Sequence, residues 1–441
     1  MKHFIFQVFA FVVAVLLAVD CALPPAVQFG PDDFEGKDGN LHRYNIITEE
    51  EYKLVREFWK KVLPEVENTV GAQVIAPNIR DTLKSGGSEI TFKTAFWLYT
   101  RLEDPDFVLV RFLRARKWEV PDAFKMLKEC IKWRIEKKVD SLVFKGEKGL
   151  PEYSRALLES GLMQIHSLDK TGGPVIYFML QHYKNPSKDN KAINELEAAL
   201  IYNMECMRLF ISHLRSRATI ITDAKESTIS RKYISLGEHF MRTMSNYYPG
   251  SMKALRVVEA SYIVPLLWKI ASRLLPTETI KKINFIDKNG LENLKNHVEE
   301  EHLLKRFGGS STRGWNYEAP QQTKVEIDSD SLSKLIEVHN NRIQGYIAAT
   351  EEWMADPTKK EERDKLLTEL KKKGLELDSH FRSETIYHRK GIIKDDGQVN
   401  FLHEDKEGRQ VEGSRGQVQE VLIKAGEVEG SIDKEHIMLQ L

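Results

Sequence analysis

Two short stretches of this 441-residue chain carry side chains whose types and spacing could do chemistry. The first is DKTGG (169–173). Asp-Lys-Thr-Gly is the phosphorylated-aspartate string of cation-pumping ATPases, in which the carboxylate is the nucleophile. That chemistry requires many membrane spans and a different continuation, whereas Pro174 follows here at once. An Asp and two Gly also supply the positive φ angles of a sharp reversal, and a turn into the apolar run PVIYFML (174–180) is the expectation. The second stretch is RFLRARKW (111–118), four cations interleaved with Phe112, Leu113, Ala115 and Trp118. Such a mixture can meet nucleic acid, an acidic membrane, a phosphate in a pocket, or solvent. On a helix over 108–117, Leu109, Phe112 and Leu113 make the apolar stripe and Arg116 continues it. Arg111 and Arg114 point away, as surface or structural charges. Arg116 then either snorkels beside the helix C-terminus or grips a phosphate with its planar fork.

The other candidates fall away. Gly308-Gly309 reads as a helix-ending turn after LLKRF, since no lysine or helix follows in the phosphate-loop pattern. No GxSxG occurs, and no Ser/His/Asp set stands out. His297 and His302 miss the i,i+4 spacing of a helical metal pair. Cys21, Cys130 and Cys206 are far apart, which suits neither a disulfide framework nor zinc. No catalytic residue, metal ligand or cofactor is assigned, and the chain reads as a non-enzyme. Lys+Arg and Asp+Glu both total 65, so a general nucleic-acid role lacks its basic excess.

The elements that position these residues follow from periodicity. Thr48 with Glu51 forms a capping box opening a helix whose stripe is Leu54, Phe58, Trp59 and Val62, ended by Pro64. KSGGS (84–88) is a break. Two amphipathic helices are expected between Asp104 and Lys138, with Pro121 in the first turn of the second and Phe124, Leu127 and Ile131 on its apolar face. After Lys148 come four apolar runs, 174–180, 218–224, 254–260 and 282–286, with helical stretches between them. That alternation predicts an α/β fold with a mostly parallel sheet covered by helices. Helix 262–275 is apolar nearly all round, so it is buried or faces lipid. Patterns at 328–354 and 358–381, split at Asp356-Pro357, predict a solvated helical hairpin docked on the main domain. The last fifty residues, with strand-like VQEVLIK, read as partly disordered. Residues 4–19 are apolar apart from Gln7, too short to span a bilayer comfortably. They serve as a secretion signal or a membrane anchor, unless the start of the chain is misassigned.

DPDFVLVRFLRARKW, LDKTGGPVIYF, SNYYPGSM, LPTETIKKINFI and LLKRFGG occur in the order of one family. Over Glu49 to Gly309 the chain resembles the CRAL-TRIO lipid-exchange proteins, above all the yeast-type phosphatidylinositol/phosphatidylcholine transfer proteins. LELDSHFRSETIYHRKG (375–391) is similar to the extension of a fungal branch. The apolar run gives a signal or anchor segment with its linker over 1–35, and the resemblance implies an N-terminal helical domain over 36–145. A CRAL-TRIO domain over 146–315, with sheet and helices around a lipid cavity, and a C-terminal helical extension over 316–441 complete it. It makes Tyr262–Leu275 the gate, with Tyr262, Leu266, Leu267, Trp268, Ile270 and Leu274 meeting lipid.

Carried across residue by residue, Arg116, Thr279 and Lys282 fall on headgroup positions of the family. Gly250 stands where the family has a glutamate. At the phosphatidylcholine positions, Ile165, Ile176, Ala218 and Ile220 replace hydroxyl-bearing residues, which implies a second, more apolar ligand such as a sterol or isoprenoid. The implied function is phosphatidylinositol binding and intermembrane transfer or presentation. The alternative is a lipid-sensing scaffold acting through its C-terminal helices. The partners are phosphatidylinositol or another hydrophobic lipid, membrane surfaces, and a protein at the C-terminal helices. The place of action is the cytosolic face of membranes, with endoplasmic-reticulum attachment through residues 4–19 or secretion.

Overall fold

The computed structural model describes residues 47–66, 74–86, 90–183, 190–211, 217–225, 231–260, 282–312, 314–321, 327–394, 397–404 and 410–416. Helix α1 (Glu49–Val66) opens on the expected capping box: Glu51 N donates to Thr48 Oγ1 at 3.2 Å, and Thr48 N to Glu51 Oε2 at 2.8 Å. Pro64 does not end it. The proline removes one backbone donor in the last turn, and burial of Leu63 and Val66 carries the helix past it. Helix α2 (Ile79–Ser85) stops at Gly86, whose φ of 117° suits glycine, at the expected break.

Helices α3 (Phe92–Thr100), α6 (Val139–Lys145) and α7 (Glu152–Glu159) are too short to show a helical period in the sequence, as is α2. Helix α3 is buried almost all round, so it shows no polar face to betray its period. Helices α4 (Pro105–Ala115) and α5 (Val120–Glu136) match expectation. Asp104 caps α4 by accepting Asp106 N at 2.8 Å, with Pro105 beginning the helix, and Pro121 lies in the first turn of α5.

A five-stranded sheet runs β1 (Met163–Leu168), β2 (Pro174–Met179), β3 (Ala218–Asp223), β4 (Met252–Val258), β5 (Ile283–Ile286), in that spatial order. The pair β1–β2 is antiparallel, and every later pair is parallel. Helix α8 (Asn190–Arg208) joins β2 to β3, and α9 (Arg231–Tyr247) joins β3 to β4. Strand β1 is not among the expected apolar runs, because Gln164, His166 and Ser167 interrupt it. All three are buried with partners: Gln164 Nε2 donates to Gly161 O, Ser167 Oγ donates to His302 O, and His166 Nε2 meets Ser311 Oγ at 3.0 Å.

The C-terminal helices α10 (Ser329–Ala355) and α11 (Lys360–Phe381) form the expected hairpin, turning where Asp356 accepts Thr358 N. They are far from a solvated appendage. Leu332, Ile336, Ile343, Tyr346 and Trp353 share one core with Val55, Phe58, Trp59 and Phe96, because an apolar stripe runs beneath the dense surface charge. A short helix α12 (Ile386–Arg389) and a hairpin of β6 (Val399–Glu404) and β7 (Gln410–Gly416) follow. VQEVLIK, residues 4–19, Thr279 and the whole gate segment 262–275 lie outside the described residues.

Candidate lipid-binding site

The sheet pairing assembles two cross-strand rows on one face. Ile165, Ile176, Ile220, Leu255 and Ile283 stand side by side, as do Met163, Phe178, Thr222, Val257 and Phe285. Alternation along a strand puts both rows on the same side, facing α8 and α9. Thr222 is the single hydroxyl in these two described rows. Cover is unequal: on β1 to β3 the rows are buried, while Leu255, Val257 and Phe285 at the β4–β5 end are half-buried. The opposite face is sealed by Leu294, Val298, Leu303 and Phe307, with Phe307 stacked on Tyr177 at 5.0 Å. One apolar face therefore ends in a surface suited to an acyl chain. The positions Ile165, Ile176, Ala218 and Ile220 are instead packed against protein.

The candidates that fall on described residues have definite places. Asp169 builds the β1–β2 turn: its Oδ1 accepts Thr171 N, Thr171 Oγ1 and Gly173 N, and its Oδ2 accepts Thr219 Oγ1 and Lys253 Nζ. Gly172 supplies a φ of 79°. A carboxylate so surrounded and 5% exposed is structural. Arg111 is also structural, buried in an ion pair with Glu103. The Arg114 guanidinium lies 5.8 Å from the centre of the Trp118 ring. Arg116 caps the C-terminal end of α4, half-buried, with Nη1 donating to Ala115 O at 3.2 Å. Burial pulls its guanidinium below the usual arginine range, against the carboxylates of Asp122 and Glu129. Lys282, half-buried, directly precedes β5 at the half-buried end of the rows. Gly250 has a φ of 70°, a backbone a glutamate would adopt only under strain. Among the described residues no cluster of His, Cys, Asp and Glu fits a metal ion.

The YYP motif ties the floor to the helices before it. Tyr247 stacks on Trp133 of α5 with ring centres 3.9 Å apart, and Tyr248 OH donates to Glu205 Oε1 at 2.8 Å. Burial alone would push Glu205 up. The guanidinium groups of Arg134 and Arg208 outweigh it and hold the carboxyl well below the usual range. Arg208 reaches on to Glu103, which also holds Arg111. This buried lattice links α4, α5, α8 and the end of α9. Its members are scattered over the sequence at no regular spacing, so no local signal reveals it.

Family models complete the picture. The CRAL/TRIO N-terminal domain matches residues 53–129 and the CRAL/TRIO domain residues 158–309, together more than half of the chain. The chain belongs to the CRAL-TRIO family. Lipid binding or transfer is the general function that this membership supports. A CRAL-TRIO domain-containing protein of Schizosaccharomyces pombe is 26% identical over 371 residues, 80% of this chain and 98% of its own. The phosphatidylinositol transfer protein CSR1 of Eremothecium gossypii is 26% identical over 315 residues, 68% of this chain and 71% of its own. The SEC14 cytosolic factor of Yarrowia lipolytica is 27% identical over 228 residues, 47% and 44% of the two chains. The crystal structure of Sfh5 overlays at a TM-score of 0.41 and 12% identity, covering 61% of this CRAL-TRIO chain and 90% of its own.

Proposed function

We propose that the protein binds phosphatidylinositol and transfers it between membranes, or presents it at one, from a hydrophobic cavity gated by residues 262–275. The observation that carries this reading is the pair of apolar rows passing from buried to half-buried toward β4 and β5. The similarity to a phosphatidylinositol transfer protein supports the headgroup assignment. In it, Arg116 and Lys282 meet the phosphodiester and Thr279 adds a hydroxyl, while Gly250 leaves the inositol ring one carboxylate short. Each acyl CH₂ exposed to water costs ~0.8 kcal/mol, so lipid leaves only while Leu266, Leu267, Trp268, Ile270 and Leu274 of the gate face a bilayer. A second lipid taken by the same floor is more apolar than phosphatidylcholine. The protein acts as a carrier, with no reaction of its own, at the cytosolic face of membranes, and residues 4–19 attach it to the endoplasmic reticulum.

Transfer of fluorescent phosphatidylinositol between vesicles tests the reading. Arg116→Ala and Lys282→Ala should each lower transfer by roughly tenfold, the loss of one charge-assisted hydrogen bond. Unchanged transfer in both variants would overturn the headgroup assignment.

A further inference from the structure

The floor rows are covered unequally, and the C-terminal extension is part of the cover. Tyr387 of α12 accepts the backbone N–H of Ile165 through its hydroxyl at 2.9 Å. Ile165 lies on the edge strand, where the register slips by one residue before Ser167, and its N–H turns away from β2. The same tyrosine ring meets Phe210 edge-on at 5.4 Å, and Phe210 stacks on Phe401 of β6 at 5.6 Å. Ile165, Phe210, Tyr387 and Phe401 belong to one buried core, each 5% exposed or less.

We infer that Tyr387 and Phe401, together with Phe210, form a plug that closes the β1 end of the lipid floor and thereby sets how long or bulky a lipid the cavity accepts. This rests on the lipid cavity proposed above. Two features make a plug of these residues. Phe401 and Phe210 are large rigid rings, so an acyl chain lengthened toward β1 must displace a whole aromatic side chain. The Tyr387 hydroxyl pins the plug to the floor, because displacing it strands the buried Ile165 N–H without a partner. The C-terminal extension therefore acts on ligand choice from within the fold.

The experiment loads full-length protein from vesicles holding an equimolar mixture of short-, medium- and long-chain phosphatidylinositols, then identifies the bound species by mass spectrometry. Phe401→Ala should shift the bound ratio toward longer chains by about fourfold for each further methylene accommodated. Phe401→Leu should shift it less and in the same direction. Tyr387→Phe keeps the ring but frees it from Ile165; it should broaden the chain-length profile and speed amide exchange in residues 163–168. If Phe401→Ala does not fold, the other two variants decide. A wild-type profile in folded Phe401→Leu and Tyr387→Phe overturns the plug while leaving the carrier reading intact. Failure of the wild-type protein to take up any phosphatidylinositol overturns the carrier reading and the plug together.

Discussion

Arg363 donates two hydrogen bonds of 2.7 Å to the two carboxylate oxygens of Asp106, 257 positions earlier in the chain. Arg363 is fully buried and Asp106 is 4% exposed. Trp59 Nε1 donates to the same carboxylate, and Arg363 Nε donates to Thr350 Oγ1, so the pair joins α1, α4, α10 and α11 at one point. A pair this deep contributes little relative to an apolar substitute, but removing one partner leaves a stranded charge. Arg363→Ala should therefore lower unfolding free energy by about 3–5 kcal/mol in urea titrations. Arg363→Ala combined with Asp106→Asn should cost clearly less than the two single changes added together.

Truncation after Pro320 should be more severe. It strips Ile343, Tyr346 and Trp353 from the core that surrounds Trp59 and Trp97, leaving an apolar surface open to water. The shortened chain should aggregate or bind a hydrophobic dye strongly. A monomeric truncated chain with a wild-type near-ultraviolet spectrum would contradict the shared core.

Asp169→Asn should destabilise by about 1–3 kcal/mol, since the amide replaces one acceptor atom with a donor where five donors converge. The loss should appear as a lower denaturant midpoint. Incubation with labelled ATP should leave the wild-type protein unlabelled; label that depends on Asp169 would restore the nucleophile reading.

Two aspartates give opposite pH dependences. Burial would raise Asp378, but Arg382 and Arg101 outweigh it and hold its carboxyl at about 2. Its contribution is present above about pH 4, where the unfolded carboxylate is ionised, and is lost as pH falls toward 2. Asp378→Asn should flatten that acid limb by an amount on the order of 2 kcal/mol. Burial and the neighbouring Asp106 carboxylate raise Asp104 to about 7. Between about pH 4 and 7 the folded chain holds a proton there that the unfolded chain has lost, so this group destabilises increasingly as pH rises. Asp104→Asn, which retains the cap to Asp106 N, should stabilise by on the order of 4 kcal/mol at pH 8 and make little difference near pH 4.

What the sequence discloses divides along physical lines. Thr48, Asp104, Pro121 and Asp356 act on neighbours a few positions away, so the helix ends they mark were legible. Near-continuous apolar runs disclosed β2 to β5, while β1 hid behind polar side chains whose partners lie far along the chain. Arg116 stood out because a cation on an apolar stripe is a local anomaly. Arg111 looked equivalent to Arg114 until Glu103 and Arg208 were brought beside it by folding. Tyr387 offered no local cue at all. Its importance is a contact with Ile165 across 222 positions.

The interlock of α1 and α4 with α10 and α11 has a consequence for synthesis. Trp59 and Asp106 leave the ribosome long before Arg363 is added, a delay on the order of ten to fifty seconds at ~5–20 residues per second. During that interval the nascent N-terminal bundle presents an unfinished apolar flank. That flank is covered only once α10 and α11 have been added.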